Sequence, residues 1–581
     1  MLCELNDSHT VIFGIITIKM DTSQAYSAVK SPFAKLWLLL KPHKKDLVSI
    51  YILAFFNGLI MLSIPLGIQT ITNFLMTGQV STSWVVMVIV VLIGVGLAYY
   101  IQVFQIKFVE SLRQKIFLFS VFEIGSLMPK WKMESIDGRY APEMVNRFFD
   151  ILNIQGKLAK ILIDFSLALF QVVFGLLLLT LYNGQFAFIT LLSIVYFGVL
   201  LRATFKKGLI TSKEESEHKY ATAAWIEEGA RSLETVKLAS GNHMFLQKIN
   251  DITTQYLQAR TSHFSVLLRQ YNGLIWYKIL VIAILLILGG LLVINQQINI
   301  GQFVAAEITI ITIISSLEKI LLSVEHIYDV LVSVDKVREL TTIELETSGD
   351  RVIESETGLE IDIRDLRYKF EDNVDFTLNG IDLHIQPNEK ICITGDQSSG
   401  KSLLLYILAS FYQDYEGTVS VNGISMRHIH LDALRDMIAE NISKAEVLEH
   451  TLRENITLGK PFSDAALTRI LQQTGLATFA EQLPQGVDTE LMTEDKRLTK
   501  SVRMKIKLAR CLAKSPRLIL FEDSLGRIDQ PQRDAIRSLF LEKSAPWTLI
   551  AVCSNPDHLH QYDRVIYMRN GRIEKIVKQS A

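Results

Sequence analysis

Two short stretches hold residue types that do phosphate chemistry. The first is Gly395-Asp396-Gln397-Ser398-Ser399-Gly400-Lys401-Ser402. An apolar run over 390–394 precedes it and a Leu-rich run follows, so the spacing predicts strand, loop, helix. This is the pattern G-x-x-x-x-G-K-[ST] in the setting it requires. The glycines let backbone wrap close to phosphate, while loop amides and the helix start supply partial positive charge. Lys401 is spaced to reach outer phosphates, and Ser402 to offer its hydroxyl to Mg²⁺. The second stretch is "RLILFEDSLGRID", Arg517 to Asp529. Here an apolar strand runs into two acids, Glu522 and Asp523, and then a turn. Acids at the end of such a strand hold the metal and the attacking water of a magnesium–nucleotide site.

The elements that must position these residues make up only part of the chain. With 581 residues there is room for several domains. At 49% hydrophobic and 20% charged, it is too apolar for one ordinary soluble fold and too charged for a pure membrane bundle. The apolar residues come in long runs up to about residue 325, and from about 350 the sequence reads as a soluble α/β protein. A formal net charge of -1 argues against a nucleic-acid partner. The cysteines Cys3, Cys392, Cys511 and Cys553 have no metal-ligand spacing. Three of them fall in the soluble half, as small core residues do in a reducing cytosol.

Six stretches are long and apolar enough to cross a bilayer: 47–68, 84–104, 161–182, 186–205, 275–294 and 302–323. Glu307, Glu318 and Lys319 interrupt the last of them. The connections "QTITNFLMTGQVSTS", "NGQ" and "NQQINIG" contain no Lys or Arg, whereas "KPHKK", Lys107–Lys160 and Lys206–Arg269 are rich in them. Positive residues mark the cytoplasmic side. Both termini are therefore expected inside, on a multi-pass protein of the cytoplasmic (inner) membrane. The two long cytoplasmic connections are rich in helix formers and lack a strand-and-turn pattern. We read them as spanning helices continued into the cytoplasm, each pair closed by a short helix near "MPKWKMESIDGRYAPEMVNRFFD" and "ATAAWIEEGARSLETVKLASG". Inside the membrane, Asp164 and Glu307 are the ionisable residues to watch, both close enough to a membrane face for interfacial solvation. Residues 1–32 read as a poorly ordered tail, with Met20 as an alternative start.

With these residues in view, the chain resembles an ATP-binding-cassette half-transporter of the exporter type. The expected fold is an all-α six-helix transmembrane domain (33–335), a linker (336–357) and an α/β P-loop cassette (358–581). The stretch "GRYAPEMVNRFFD" is similar to the first coupling segment of such exporters, with Gly138, Arg147 and Asp150 at its spacing. The stretches "LRENITLG" and "IKLARCLAKSPRLILFED" resemble passages of the cassette. The resemblance implies ATP and Mg²⁺ as cofactors and a homodimeric or heterodimeric partner half. It admits a periplasmic adaptor as a further partner. It places Phe370 where the family stacks an aromatic on adenine; from the residues alone a core role is equally open. A likeness to the exporters of type I secretion and bacteriocin export suggests a peptide or protein cargo. No papain-like peptidase domain of the kind many of those carry is expected.

The resemblance also shows where the pattern breaks. The Walker B acid falls on Glu522, one methylene longer than the usual Asp. The general base falls on Asp523, one methylene shorter than the usual Glu. The signature loop falls on Leu498-Thr499-Lys500-Ser501-Val502, with Lys500 and Ser501 in place of glycines. Thr499 and Ser501 keep hydroxyls for a partner's nucleotide, though either could simply cap a basic helix. The switch histidine falls on Ser554 and the Q-loop glutamine, a metal-site group, on Ser443. Asp529 matches the D-loop acid. Two readings follow: an exporter subunit with slow turnover, or a nucleotide-binding, hydrolysis-deficient regulatory or scaffolding subunit of a secretion assembly.

Overall fold

The computed structural model describes residues 31–76, 82–239, 243–371, 373–442, 447–493, 495–522, 525, 528–553 and 556–579. It divides into two compact units: Met1–Pro129 with Arg139–Ile343, and Lys130–Gly138 with Glu344–Ala581.

The first unit is built on six long helical runs: α1 (Pro32–Met76), α2 (Thr82–Lys130), α3 (Ala141–Tyr182), α4 (Gly184–Arg231), α5 (His243–Ile294) and α6 (Ile300–Thr341). Each of the six apolar stretches of the sequence lies within one of them. They run 42–52 residues, far beyond the roughly 20 that a bilayer requires. On α2 to α5 most of the excess falls in the two long connections, which the sequence reads as helices continued beyond the spans. The tips carry short helices, Met133–Ile136 and Leu233–Leu238. At the start of α6 the Asn299 side chain accepts the Gln302 N–H at 2.7 Å, and the Gln302 side chain accepts the Asn299 N–H at 2.9 Å. This capping box gives the "NQQINIG" connection a sharp helix entry. The helix then runs to Thr341, into the segment that the sequence reads as linker.

Small residues let these helices approach. A Cβ on Gly175 of α3 would stand 2.8 Å from Ile313 of α6, and one on Gly208 of α4 would stand 2.6 Å from the Tyr328 ring. Several polar groups in or beside the spans pair between helices. Asn57 donates to the Ala98 carbonyl at 3.0 Å, Gln105 to the Leu162 carbonyl at 3.0 Å, and Ser316 to Gln171 at 2.8 Å. Lys278 of α5 pairs with Glu318 of α6 at 2.5 Å. Asp164 lies exposed in a π-turn, Ile161–Phe165.

The second unit is an α/β cassette. Its six-stranded sheet has the order β12-β11-β3-β10-β9-β6. These are β3 (Lys390–Gly395), β6 (Ile438–Glu440), β9 (Leu518–Glu522), β10 (Thr548–Val552), β11 (Arg564–Arg569) and β12 (Arg572–Lys578). All pair in parallel except β12 on β11. A second, antiparallel sheet runs β2-β1-β4-β5, with β1 Ile361–Tyr368, β2 Leu378–Ile385, β4 Glu416–Val421 and β5 Ile424–Ser425, and a short ribbon pairs β7 (His450–Thr451) with β8 (Glu490–Leu491). The strands of the parallel sheet are near-continuous apolar runs, as a sheet covered on both faces demands. Cys392, Cys511 and Cys553 lie in that core, and burial pushes the Cys511 thiol up to about 12.

The segment Lys130–Gly138 is held by the cassette. Trp131 bridges Leu345 in antiparallel fashion, Lys132 N–H donates to the Glu344 carbonyl at 2.9 Å, and Glu346 N–H donates to the Lys130 carbonyl at 2.8 Å. The Glu134 carboxylate accepts the backbone N–H groups of Gln413 and Asp414, and Tyr412 donates to Asp137 at 3.0 Å. Gly138 closes the segment at φ +72°, a left-handed turn that glycine adopts without strain.

Candidate nucleotide site

The site is assembled at the carboxyl ends of parallel strands, where α/β sheets bind ligands. Strand β3 lies inside the sheet, between β11 and β10. It delivers the chain into the loop 395–402, and the helix α7 (Lys401–Leu408) begins at once behind it. Two positions of the loop require glycine for steric reasons. Gly395 has φ +139°, and a Cβ there would lie 1.9 Å from the Met568 carbonyl oxygen. Gly400 has φ +90°, and its Cβ would lie 2.6 Å from Leu378. Ser398 also takes a positive φ, 59°, between them. The loop is thus a backbone cradle wrapped tightly against β11 and β2.

Within the cradle Lys401 Nζ donates to the carbonyls of Gly395 at 3.0 Å and Asp396 at 2.5 Å, and to Ser399 Oγ at 3.1 Å. Burial lowers its pKa, and the charges of Asp396 and Glu522 pull it back up. Those influences place the Glu522 carboxylate in the electrostatic field of the lysine. Ser402 sits in the first turn of α7. Asp396 pairs outward with Arg569 at 3.4 Å, and Gln397 is exposed.

Glu522 ends β9. Its backbone is clamped by Asn441, whose Oδ1 accepts the Glu522 N–H at 2.7 Å and whose Nδ2 donates to the Glu522 carbonyl at 3.1 Å. Asn441 is buried, just past β6. Sequence reasoning passed over it, because a lone Asn after an apolar run carries no motif. The arrangement fits a magnesium–nucleotide ligand. The glycine cradle offers backbone to phosphate, and Ser402 with Glu522 offers the hydroxyl and carboxylate that Mg²⁺ takes beside phosphate oxygens. Among the described residues there is no cluster of three or more His, Cys, Asp or Glu that could hold a metal without such a ligand.

Phe370 is half-buried, edge-on to Tyr368 at 5.3 Å and to Tyr412 at 6.0 Å. It is a core-edge aromatic with part of its surface free, which suits both roles open in the sequence. Thr499 caps α8 (Lys500–Ala513): its hydroxyl accepts the Val502 N–H at 3.3 Å. The capping reading is therefore realised by Thr499, while Ser501 lies inside the first turn. Lys500 is exposed at the helix start. Asp529 precedes the helix Gln530–Phe540 without capping it through its side chain. Asp523, Ser554 and Ser443 lie outside the described residues. Of the coupling residues, Arg147 pairs with Glu339, and buried Asp150 accepts hydrogen bonds from Tyr220 and from Ser333, the latter at 3.3 Å.

Comparison with known proteins decides the family. Residues 378–525 match the ABC transporter family, and residues 47–317 match the ABC transporter transmembrane region. The chain belongs to the ABC transporters. It is 24% identical over 349 residues to the uncharacterized ABC transporter ATP-binding protein YwjA of Bacillus subtilis (strain 168), covering 60% of this chain and 59% of that one. It is 23% identical to the transport/processing ATP-binding protein ComA of Streptococcus pneumoniae (strain ATCC BAA-255 / R6), covering 75% and 61%. With the alpha-hemolysin translocation ATP-binding protein HlyB of Escherichia coli O157:H7 it shares 22% identity, covering 76% and 62%. The chain spans about three-fifths of the length of these curated relatives. A bacterial Atm1-family ABC exporter solved with ATP bound has the same fold, at TM-score 0.77 and 15% identity over 92% of this chain and 95% of that one. This ABC transporter is therefore a membrane protein with six apolar helices ahead of an α/β nucleotide-binding domain.

Proposed function

We propose that the chain is the ATP-binding half of a dimeric exporter in the cytoplasmic membrane, with both termini inside, and that it turns ATP over slowly or not at all. The observation behind this reading is a contrast within one cassette. The backbone cradle of 395–402 is sterically complete, while the residues at the catalytic positions, Asp523, Ser554, Ser443 and Lys500-Ser501, all depart from the family pattern. Lys401 would exchange its loop carbonyls for the outer phosphates, and the anion would restore the charge that burial disfavours. Bound Mg²⁺ supplies neutralisation of phosphate charge. Ser402 and Glu522 would hold it, the latter through a backbone fixed by Asn441.

By the family pattern Asp523 would orient the attacking water. An Asp in place of Glu would fall short by about one C–C bond, which would forfeit much of the ~10²–10⁴-fold that a positioned base contributes. The defects of the base and switch act in this chain's own site, and those of the signature in a partner's. Either pairing, with itself or with a different half, therefore leaves each composite site with a defect. A peptide or protein cargo is supported by the likeness to HlyB, an alpha-hemolysin translocation protein, and to ComA, a transport/processing protein. A periplasmic adaptor would fit such a cargo.

The test is nucleotide binding measured beside hydrolysis on the purified protein in nanodiscs. Lys401→Ala should lose binding. The natural chain should bind ATP with little turnover, and Asp523→Glu should raise turnover. Hydrolysis by the natural chain far above the Lys401→Ala background would overturn the slow-engine reading. Binding with no turnover under any cargo tested favours the regulatory or scaffolding role.

A further inference from the structure

Helix α1 is interrupted near its start. The stretch Pro32–Leu40 passes through a 3₁₀ turn, Lys41–His43, before the apolar run resumes at Lys44. Trp37 from the first piece and Lys44, Val48, Ile52 and Phe56 from the second line one groove of about 660 Å³. That is the size of a small-molecule site, ~300–1,000 Å³. Lys44, Val48, Ile52 and Phe56 recur every fourth residue, so the groove follows one stripe of the helix. At 1.5 Å per residue this stripe is about 18 Å long. One leaflet contributes about 15 Å, half of the ~30 Å hydrocarbon core. The groove is therefore long and narrow, and one leaflet deep.

Aromatic packing fixes its inner end. Phe55, also in the lining, stands edge-on to Phe170 and Phe174 of α3 at 5.5 and 5.2 Å and to Phe56 at 5.6 Å. The charge lies at the other end. Lys41, Lys44 and Lys45 are exposed there, and the acid beside them, Asp46, is held by Lys115 of α2 at 2.8 Å. Three cations thus stand at the mouth of an apolar channel. Trp37 and Tyr51 flank that end, where aromatic side chains with a polar tip mark a membrane boundary. A phospholipid has the matching polarity, an acyl chain for the groove and a phosphate for the amines. A zwitterionic headgroup also carries an ammonium, which the lysines repel. An anionic headgroup carries none.

We propose that this groove is a binding site for one anionic phospholipid, its tail laid along Lys44–Phe56 and its phosphate held by Lys41, Lys44 and Lys45. The site requires that α1 cross the membrane, and it stands whether or not the export reading does.

The test uses the full chain in phosphatidylcholine nanodiscs that carry a minor fraction of lipid with brominated tails, which quench tryptophan on contact. The brominated lipid is phosphatidylglycerol in one series and phosphatidylcholine of equal chain length in the other. The fluorescence lost in Trp37→Phe isolates the Trp37 signal. Brominated phosphatidylglycerol should quench it at a fraction about tenfold or more lower than brominated phosphatidylcholine. Lys44→Gln should cut this preference about fivefold, the equivalent of ~1 kcal/mol for one lysine at the surface. Replacing all three lysines by Gln should abolish it, and Lys44→Arg should keep it. Ile52→Phe, which fills the groove, should weaken quenching by both lipids. Lys206→Gln removes an exposed cation just past the fourth apolar stretch and should change nothing. Elution volume reports that each variant is assembled. Four results would each overturn the proposal. Equal quenching by the two lipids marks ordinary boundary lipid. A preference lowered as much by Lys206→Gln as by Lys44→Gln marks diffuse surface charge. Quenching by neither lipid marks a groove covered by protein, from this chain or a second copy. Quenching unmoved by Ile52→Phe places the tail elsewhere.

Discussion

Two helix starts in this cassette carry the residues that the resemblance assigns to phosphate, and they are built from different material. The start of α7 is made of backbone. Gly395 and Gly400 hold positive φ values against Met568 and Leu378 at distances that leave no room for a Cβ. The start of α8 is made of side chains: Thr499 caps it, Lys500 stands exposed, and Ser501 lies inside the first turn. At its two glycines the cradle tolerates almost no substitution, because a side chain there collides with a neighbouring strand. A helix start accepts any good cap and remains a helix. The first can be lost only at the expense of the fold. The second can lose its special chemistry and leave the fold intact.

Four measurements bear on this contrast, from the largest effect to the smallest. Gly395→Ala forces a methyl to within 1.9 Å of the Met568 carbonyl. It should cost several kcal/mol, roughly 3 or more given strain at positive φ added to a backbone clash, and abolish nucleotide binding. Near-natural melting of this variant would break the comparison at its strong end. Asn441→Ala leaves the Glu522 N–H and C=O without their side-chain partner and should cost about 1–3 kcal/mol. It should also weaken Mg²⁺-dependent binding more than Mg²⁺-free binding, which titration with and without the metal would read. Thr499→Ala removes a cap worth about 1 kcal/mol and should leave the affinity of this chain's own site unchanged. A large loss of affinity there would mean that the two helix starts are not independent.

The smallest effect concerns the foot of β3. Lys390 is buried, its amine on the Trp547 carbonyl and over the Trp547 ring, and burial pushes its pKa down to about 8. Between that value and the ordinary lysine pKa near 10.5, the unfolded chain binds a proton that the folded chain lacks. Stability from this group should therefore rise with pH from about 8 towards 10.5 and be at its lowest below 8. Melting curves should show a shift of a few degrees over this window that disappears in Lys390→Met.

How much was legible in the sequence depended on the range of the interaction. The phosphate loop was legible because its requirements fall within eight consecutive residues. The six spans were legible because lipid acts on composition. The tips of the long helices could be located for the same reason: helix formers with no strand pattern between two spans. Asn441 and Glu522 are 81 positions apart in sequence and hydrogen-bonded in space, and no local pattern announces such a clamp. Glu318 looked like an interruption of an apolar span, and only the packing of α5 on α6 supplied its partner 40 residues away. The choice between capping and phosphate contact at Thr499 was open in the residue types and took the hydrogen bond to Val502 to show the cap.

The sequence by itself determined the architecture and the means of holding phosphate. Both rest on forces that read local composition: hydrocarbon solvation for the spans, and freedom of φ at two glycines for the loop. The tertiary structure alone decided which charges are paired inside the membrane, what fixes the backbone of Glu522, and how Lys130–Gly138 is held by the cassette. Those are pairings between distant segments, and their energies exist only once the chain has brought the partners within a few ångströms.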